Sequence, residues 1–146
     1  MACALTLMWM GGSGLLMGGI FGIFYGAGGN TMNIVEIANH TGGAHASDFT
    51  QQCIWFPLTF IGFGVLGALF PFHTWSPDGH ASAPTAVSML HAGVLMKLGG
   101  YGCFRLAMYL MPDAATELGW IFLLLHGISV VYGALSACVH TALKYL

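Results

Sequence analysis

Residues 85–110 read TAVSMLHAGVLMKLGGYGCFRLAMYL, an apolar run with one lysine, Lys97, set twelve residues in from its start. About 20 mainly apolar residues suffice to cross a bilayer as a helix, so this run is a membrane span. At about 1.5 Å per residue Lys97 lies about 18 Å along the axis, too deep for its ammonium to snorkel easily to either face. On insertion scales a central lysine costs about 2.5–3.5 kcal/mol, and the apolar neighbours let the segment tolerate it. All five acidic residues (Glu36, Asp48, Asp78, Asp113 and Glu117) fall outside the apolar runs, so the chain supplies no carboxylate at that depth. An unpaired lysine at mid-membrane points to function, because desolvation lowers a lysine's pKa towards neutrality and lets it exchange a proton.

Working outward from this run, the same logic gives three further spans. Residues 3–27 (CALTLMWMGGSGLLMGGIFGIFYGA) carry no charge, residues 52–75 are apolar but interrupted by Pro57 and Pro71, and residues 120–139 form the last apolar run. Between them lie a polar stretch from Gly28 to about Gln51, in which TMNIVEIANH can form a short interfacial helix, the loop SPDGHASAP, and MPDAATELG, read as a short turn. The fold class is therefore all-α integral membrane protein, with about four transmembrane helices and one of them interrupted near a proline. Trp9, Trp55, Trp75, Trp120, Tyr25 and Tyr145 lie near span ends, where aromatic residues seek the interface. Four spans put both ends on one side. The loops after the first and third spans carry acids and no lysine while Lys144 follows the fourth, so the positive-inside rule places both ends in the cytoplasm.

Composition agrees. The 146 residues are 57% hydrophobic and 5% charged, against about 25% charged in soluble domains, and the mean hydropathy is +0.79. The surface must face lipid. A net charge of -2 without a basic patch gives no reason to expect a nucleic-acid partner. The 22 glycines and nine methionines suit closely packed membrane helices. Cys3, Cys53, Cys103 and Cys138 are far apart, form no CxxC pair and read as small core residues. No charged segment precedes the first apolar run, so a cleaved signal peptide is not expected. Neither a nucleotide-binding glycine motif nor a cysteine cluster is present, so no redox cofactor is expected in this chain.

Other candidates for proton chemistry cluster near Lys97. Tyr101 and Arg105 follow it at i+4 and i+8, drifting slowly around one face, with Arg105 close enough to the end to serve as an interfacial anchor. His91 lies about 120° round the helix from Lys97, placed to relay protons across a helix interface rather than along one face. His126, midway along the fourth span, shares that status. The second span ends in LFPFHTW, where Pro71 removes a backbone donor and can break the helix, freeing carbonyls to hold water or an ion. His73 beside that break can titrate near neutral pH. The plainer reading of His73 is a loop-ordering residue, and His80 fits that reading better.

The run PFHTWSPDGHASAPTAVSMLHAGVLMKLGGYGCFR, residues 71–105, closely resembles the signature of the antiporter-like membrane subunits of respiratory complex I, above all the subunit M (chain 4) line. FGVLGALFPFHTW and YGALSACVHTALKYL continue the resemblance, which covers about residues 3–146; Mrp-type sodium/proton antiporters and membrane hydrogenases share much of it. The resemblance implies part of an inverted-repeat, proton-conducting domain. It implies that Lys97 joins two half-channels, that His73, Pro77, Asp78 and His80, with Pro71 and Trp75, form the loop motif after the interrupted helix, and that Lys144 ends the following span. It also implies that NADH, flavin, iron–sulfur clusters and quinone are bound by other subunits, that other membrane subunits are partners, and that the chain lies in the inner (plasma) membrane. Enzymatic activity is then a property of the assembly, and this chain contributes transport. The sequence departs from the family pattern at Leu66, where a lysine is usual 31 positions before Lys97, and at Ala142, where an aspartate is usual. Family members carry many more spans, so a fragment is expected. The competing readings are an Mrp-type or hydrogenase membrane subunit, and a small structural or assembly membrane protein.

Overall fold

The computed structural model describes residues 2–26, 28, 31–41 and 49–139, and every regular element among them is helical. Helix α1 (Ala2–Gly26) is followed by the short α2 (Ile34–Thr41), by α3 (Phe49–Leu66) and, after a break, by α4 (Trp75–Ser82). The third span runs through α5 (Thr85–Leu90), a π segment (His91–Leu95), α6 (Met96–Gly102) and a second π segment (Cys103–Met108). The last helix, α7, spans Pro112–Val139. Three uninterrupted helices are long and apolar enough to cross a membrane, within Leu5–Gly26, Phe49–Leu66 and Pro112–Val139. The third span, Thr85–Leu110, is helical throughout but mixes α and π turns.

Three expectations from sequence need correction. SPDGHASAP is not a plain loop, because most of it forms α4. MPDAATELG is not a turn: Pro112 occupies the first helical position, where its missing N–H costs nothing, and α7 starts there. Pro57 does not interrupt the second span, since α3 continues through it. The short helix expected within 31–40 is present as α2.

The interruption near Pro71 is real, but Pro71 does not start it. Helix α3 closes with a Schellman motif. The N–H of Leu69 donates to the carbonyl of Gly64 at 2.7 Å, and that of Ala68 to Val65 at 3.3 Å. Ala68 holds the left-handed position usually given to glycine (φ 56°). The Leu69 side chain lies over Gly64, the apolar contact that accompanies this cap. Pro71, joined to Phe70 by a cis peptide, then lies beyond a helix that has already ended. The Val65 carbonyl accepts a second bond at 3.1 Å from the indole Nε1–H of Trp75, the first residue of α4. Trp75 is buried and packs edge-to-face on the half-buried Trp9 of α1 (5.7 Å), so Trp75 is a core residue rather than an interface anchor.

Helices α1 and α3 pack backbone to backbone. A Cβ at Gly12 would lie 2.9 Å from Val65, and one at Gly62 would lie 2.9 Å from the Leu16 nitrogen; Gly19 and Gly22 face Thr59 and Trp55 with no more room. Membrane helices associate through small residues in this way. A second cluster joins α3, α7 and the second π segment through Phe56, Phe60, Phe122, Ala107 and Leu110.

Candidate functional site

The third span crosses α3 at the break itself. A Cβ at Gly99 would stand 2.7 Å from the Gly67 nitrogen and 2.8 Å from the Phe63 carbonyl oxygen, so only glycine allows this approach. Gly102 rests on the Phe63 ring. This packing orients Lys97, which lies two residues and about 200° from Gly99 around the helix and so points away from α3. Lys97 is accordingly exposed on the chain's own surface, as are Tyr101 and Arg105. The expectation of a buried Lys97 is thus not met by packing within this chain, where its side chain is exposed among the described residues. Arg105 places its guanidinium 5.1 Å from the Tyr109 ring centre.

On the other side of the break, a cleft of about 720 Å³ opens between the α3–α4 connection, α4, α5 and the second half of α7. Its polar lining comes from His73, Ser76, His80, Thr85 and Ser88 on one side and Ser129, Tyr132 and Ser136 on the other; Pro77, Met89 and Met96 are among its apolar walls. Of the residues singled out from sequence, His73, Pro77 and His80 line it. His91 joins from behind, with its ring centre 5.9 Å from that of His80 and 5.4 Å from that of Trp9. His80, on α4 rather than in a loop, has its Nδ1 hydrogen-bonded to Ser88 Oγ at 2.8 Å, which orders the ring. Burial, with the neighbouring His91 second, holds its pKa below the ordinary value of 6.5. His73 stacks on Phe70 at 5.6 Å and meets Tyr132 edge-on at 4.7 Å, while its Nδ1 is buried without a hydrogen-bond partner among the described residues.

The other candidates stand apart from the cleft. His126 bonds the Phe122 carbonyl through Nδ1 at 2.9 Å. A carbonyl only accepts, so Nδ1 carries the proton and its tautomer is fixed. The ring also packs on Phe60 at 5.7 Å, the environment of a structural histidine. Asp78 is exposed on α4, Pro71 is exposed at the break, and Lys144 and Ala142 lie outside the described residues. Lys97 does not line the cleft, although its neighbour Met96 does, and Gly99 ties its helix to Gly67, the residue after Leu66. The π segment that ends just before Lys97 is a wide turn in which Met96 N–H bonds the His91 carbonyl; such turns recur at functional sites.

Sequence reasoning missed Ser129, Tyr132 and Ser136. Their spacing of three and four residues on α7 marks one helical face, a signal present in the sequence but hidden by the apolar residues between them.

Comparison with known proteins agrees with this architecture. The profile of the family described as "NADH:quinone oxidoreductase/Mrp antiporter, TM" matches residues 2–146. The chain is 38% identical over 130 residues to "NAD(P)H-quinone oxidoreductase chain 4-3" of Nostoc, covering 89% of this chain and 22% of that protein. It is 39% identical over 98 residues to "NADH-quinone oxidoreductase subunit M" of Rickettsia prowazekii, covering 67% and 20%. With "NAD(P)H-quinone oxidoreductase chain 4 1" of Picosynechococcus it shares 50% over 84 residues, covering 58% and 16%. The chain thus spans about a fifth of the length of these relatives. With the match running nearly from end to end, the chain belongs to the NADH:quinone oxidoreductase/Mrp antiporter transmembrane family.

Proposed function

We propose that this chain is part of a proton-translocating membrane subunit of an NADH:quinone oxidoreductase, moving protons through its lysine and histidines while quinone is reduced elsewhere in the complex. The observation that carries the reading is the join at Gly67–Gly99, which sets the helix of Lys97 against the break where the histidine-lined cleft opens. In this scheme His73, His80 and His91 receive and pass protons on one side of the break, and Lys97 hands them to groups in the rest of the longer protein. The outward face of Lys97 supports that assignment, because an amine at mid-membrane needs a partner and this chain turns it away from its own helices. Lys144 would continue the path at the far end of the following span, and His126 contributes structure more than transfer. Redox groups and quinone belong to other subunits, other membrane subunits are the partners, and the inner (plasma) membrane with both ends of this segment cytoplasmic is the proposed setting.

The protonatable role usually given to the lysine that Leu66 replaces falls, in this reading, to His73 or His91 with ordered water. Leu66 ends α3, directly before the Gly67 contact with Gly99, so a lysine there would sit against the same junction. Introducing Leu66→Lys together with His91→Ala in the full-length protein is expected to restore pumping lost by His91→Ala alone.

The direct test is Lys97→Ala in the full-length subunit within its intact complex, with proton translocation measured against quinone reduction. Loss of translocation is the expected result; undiminished pumping removes Lys97 from the path. The family description also covers Mrp antiporters. Neighbouring genes for quinone-reductase subunits are expected, and an Mrp or hydrogenase cluster in their place would reassign the parent complex.

A further inference from the structure

We infer that Tyr132 on α7 is the positioning residue for His73, which makes the last helix a working wall of the cleft rather than only a lipid-facing span. This rests on the proposed role of His73 in proton transfer. His73 is carried by the connection after the Schellman cap, a segment with no regular hydrogen-bond ladder to fix a side chain. Two rings fix it instead. Phe70 stacks on one face with an interplanar angle of 28°, and Tyr132 meets the imidazole at 69° with ring centres 4.7 Å apart, the shortest of the three aromatic contacts in this group. Tyr132 is the only one of these rings carried by a helix distant in sequence, so it ties the irregular connection to a regular element.

The hold has a chemical consequence. Held by these two rings, His73 keeps Nδ1 buried and without a hydrogen-bond partner among the described residues, a costly state for a polar atom unless water or a transferring proton satisfies it. The cleft lined by both His73 and Tyr132 is large enough to bring water to the ring, and Ser129 and Ser136 flank Tyr132 on the same face of α7 with hydroxyls that suit such water. The titratable groups that share the cleft with His73 are His80, from α4, and Tyr132 itself; no carboxylate is among its lining residues. An aromatic clamp therefore takes the place of the carboxylate that commonly orients a histidine.

The test compares Tyr132→Leu, Tyr132→Phe and His73→Ala in the full-length protein within its complex, reading proton translocation per quinone reduced across a pH series. Tyr132→Leu removes the ring and is expected to lower translocation by up to about a hundredfold, as misplacement of a reacting group by about 1 Å does, and to move the pH midpoint from that of the unaltered protein. Tyr132→Phe keeps the ring contact and is expected to restore both rate and midpoint. If Tyr132→Leu lowers translocation equally at all pH values, or leaves it unchanged, Tyr132 does not position His73. If Tyr132→Phe fails as badly as Tyr132→Leu, the phenol and not the ring acts, and the positioning role falls. Undiminished translocation in His73→Ala overturns the role of His73 itself, and so is distinguished from failure of the clamp alone.

Discussion

The two sides of α3 are built on opposite principles. Towards α1, glycines at positions 12, 19, 22 and 62 bring the two backbones together with no space for a further atom. Towards α4, α5 and α7, the same helix ends early, its cap turns the chain aside, and a cleft with histidines and hydroxyls opens. The first side has its polar backbone satisfied within helices and gives chemistry nowhere to happen. The second carries the titratable side chains. A membrane protein that moves protons needs both, since a polar cavity in lipid persists only where rigid neighbours hold it open. Gly99 is where the two sides meet, packing a π-interrupted helix directly onto the end of the rigid pair.

The most severe way to break this arrangement is therefore Gly99→Ala. Its added methyl meets backbone atoms of Gly67 and Phe63, which cannot rotate away as a side chain can. Overpacking of this kind costs about 3 kcal/mol, the upper end of the usual range, and should lower the denaturation midpoint of the detergent-solubilised full-length protein markedly. Gly100→Ala, one residue on with nothing within 4 Å, is the matched control and should be neutral. Equal effects of the two would mean that the third span does not cross α3 at the break.

A step smaller is Trp75→Phe. Phenylalanine preserves much of the packing on Trp9 but withdraws the indole N–H from the Val65 carbonyl. That oxygen still accepts from Ala68 at 3.3 Å, so the loss is partial, about 1–2 kcal/mol. The same denaturation assay reads it. No loss would show that the link from the end of α3 to the start of α4 contributes nothing to closing the break.

The rigid side was legible in the sequence and the open side only partly so. Uninterrupted apolar length announced α1 and the apolar stretch of α7, and the glycine content foretold close packing, because both are compositional consequences of replacing water by lipid. The break was legible through Pro71 yet was misplaced, since the left-handed residue that caps α3 is Ala68, and alanine carries no turn signal. Helix α4 was hidden by its proline, glycine and serine content, which reads as a loop. The π segments have no sequence mark, because they arise from how the third span packs. For the site, His73, Pro77 and His80 were found through the motif, and the π turn and the Gly99 contact that place Lys97 were not. The hydroxyl face of α7 required knowing which helix α3 opens towards.

Acid probes the open side alone. His80 titrates below the ordinary value of 6.5 because burial, and then His91, disfavour its charged form. The unfolded chain accordingly binds its proton more readily than the folded one. The stability that neutral His80 contributes is fully present above pH 6.5 and is lost as pH falls below it. Between about pH 7.5 and about pH 5.5 the denaturation midpoint should fall, by less than Trp75→Phe costs, and His80→Gln should flatten the decline. An unchanged slope in His80→Gln would assign the acid sensitivity to another group.

The smallest effect should come with the opposite sign. Ala68 is a non-glycine residue in the left-handed region, at the position where a Schellman cap favours glycine. Its Cβ there crowds the following carbonyl, at a cost of about 1–2 kcal/mol. Ala68→Gly removes that crowding and leaves the Leu69–Gly64 and Ala68–Val65 backbone bonds available to form as before. Part of the gain is returned, because glycine also widens the freedom of the unfolded chain. The net should be a stabilisation of up to about 1 kcal/mol, read as a raised denaturation midpoint. A fall instead would mean that the methyl of Ala68, which lines the cleft, contributes more by packing than its backbone conformation costs. In that case the break is held from the open side as well as by its cap, and the contrast between the two faces of α3 is weaker than the glycine seam alone suggests.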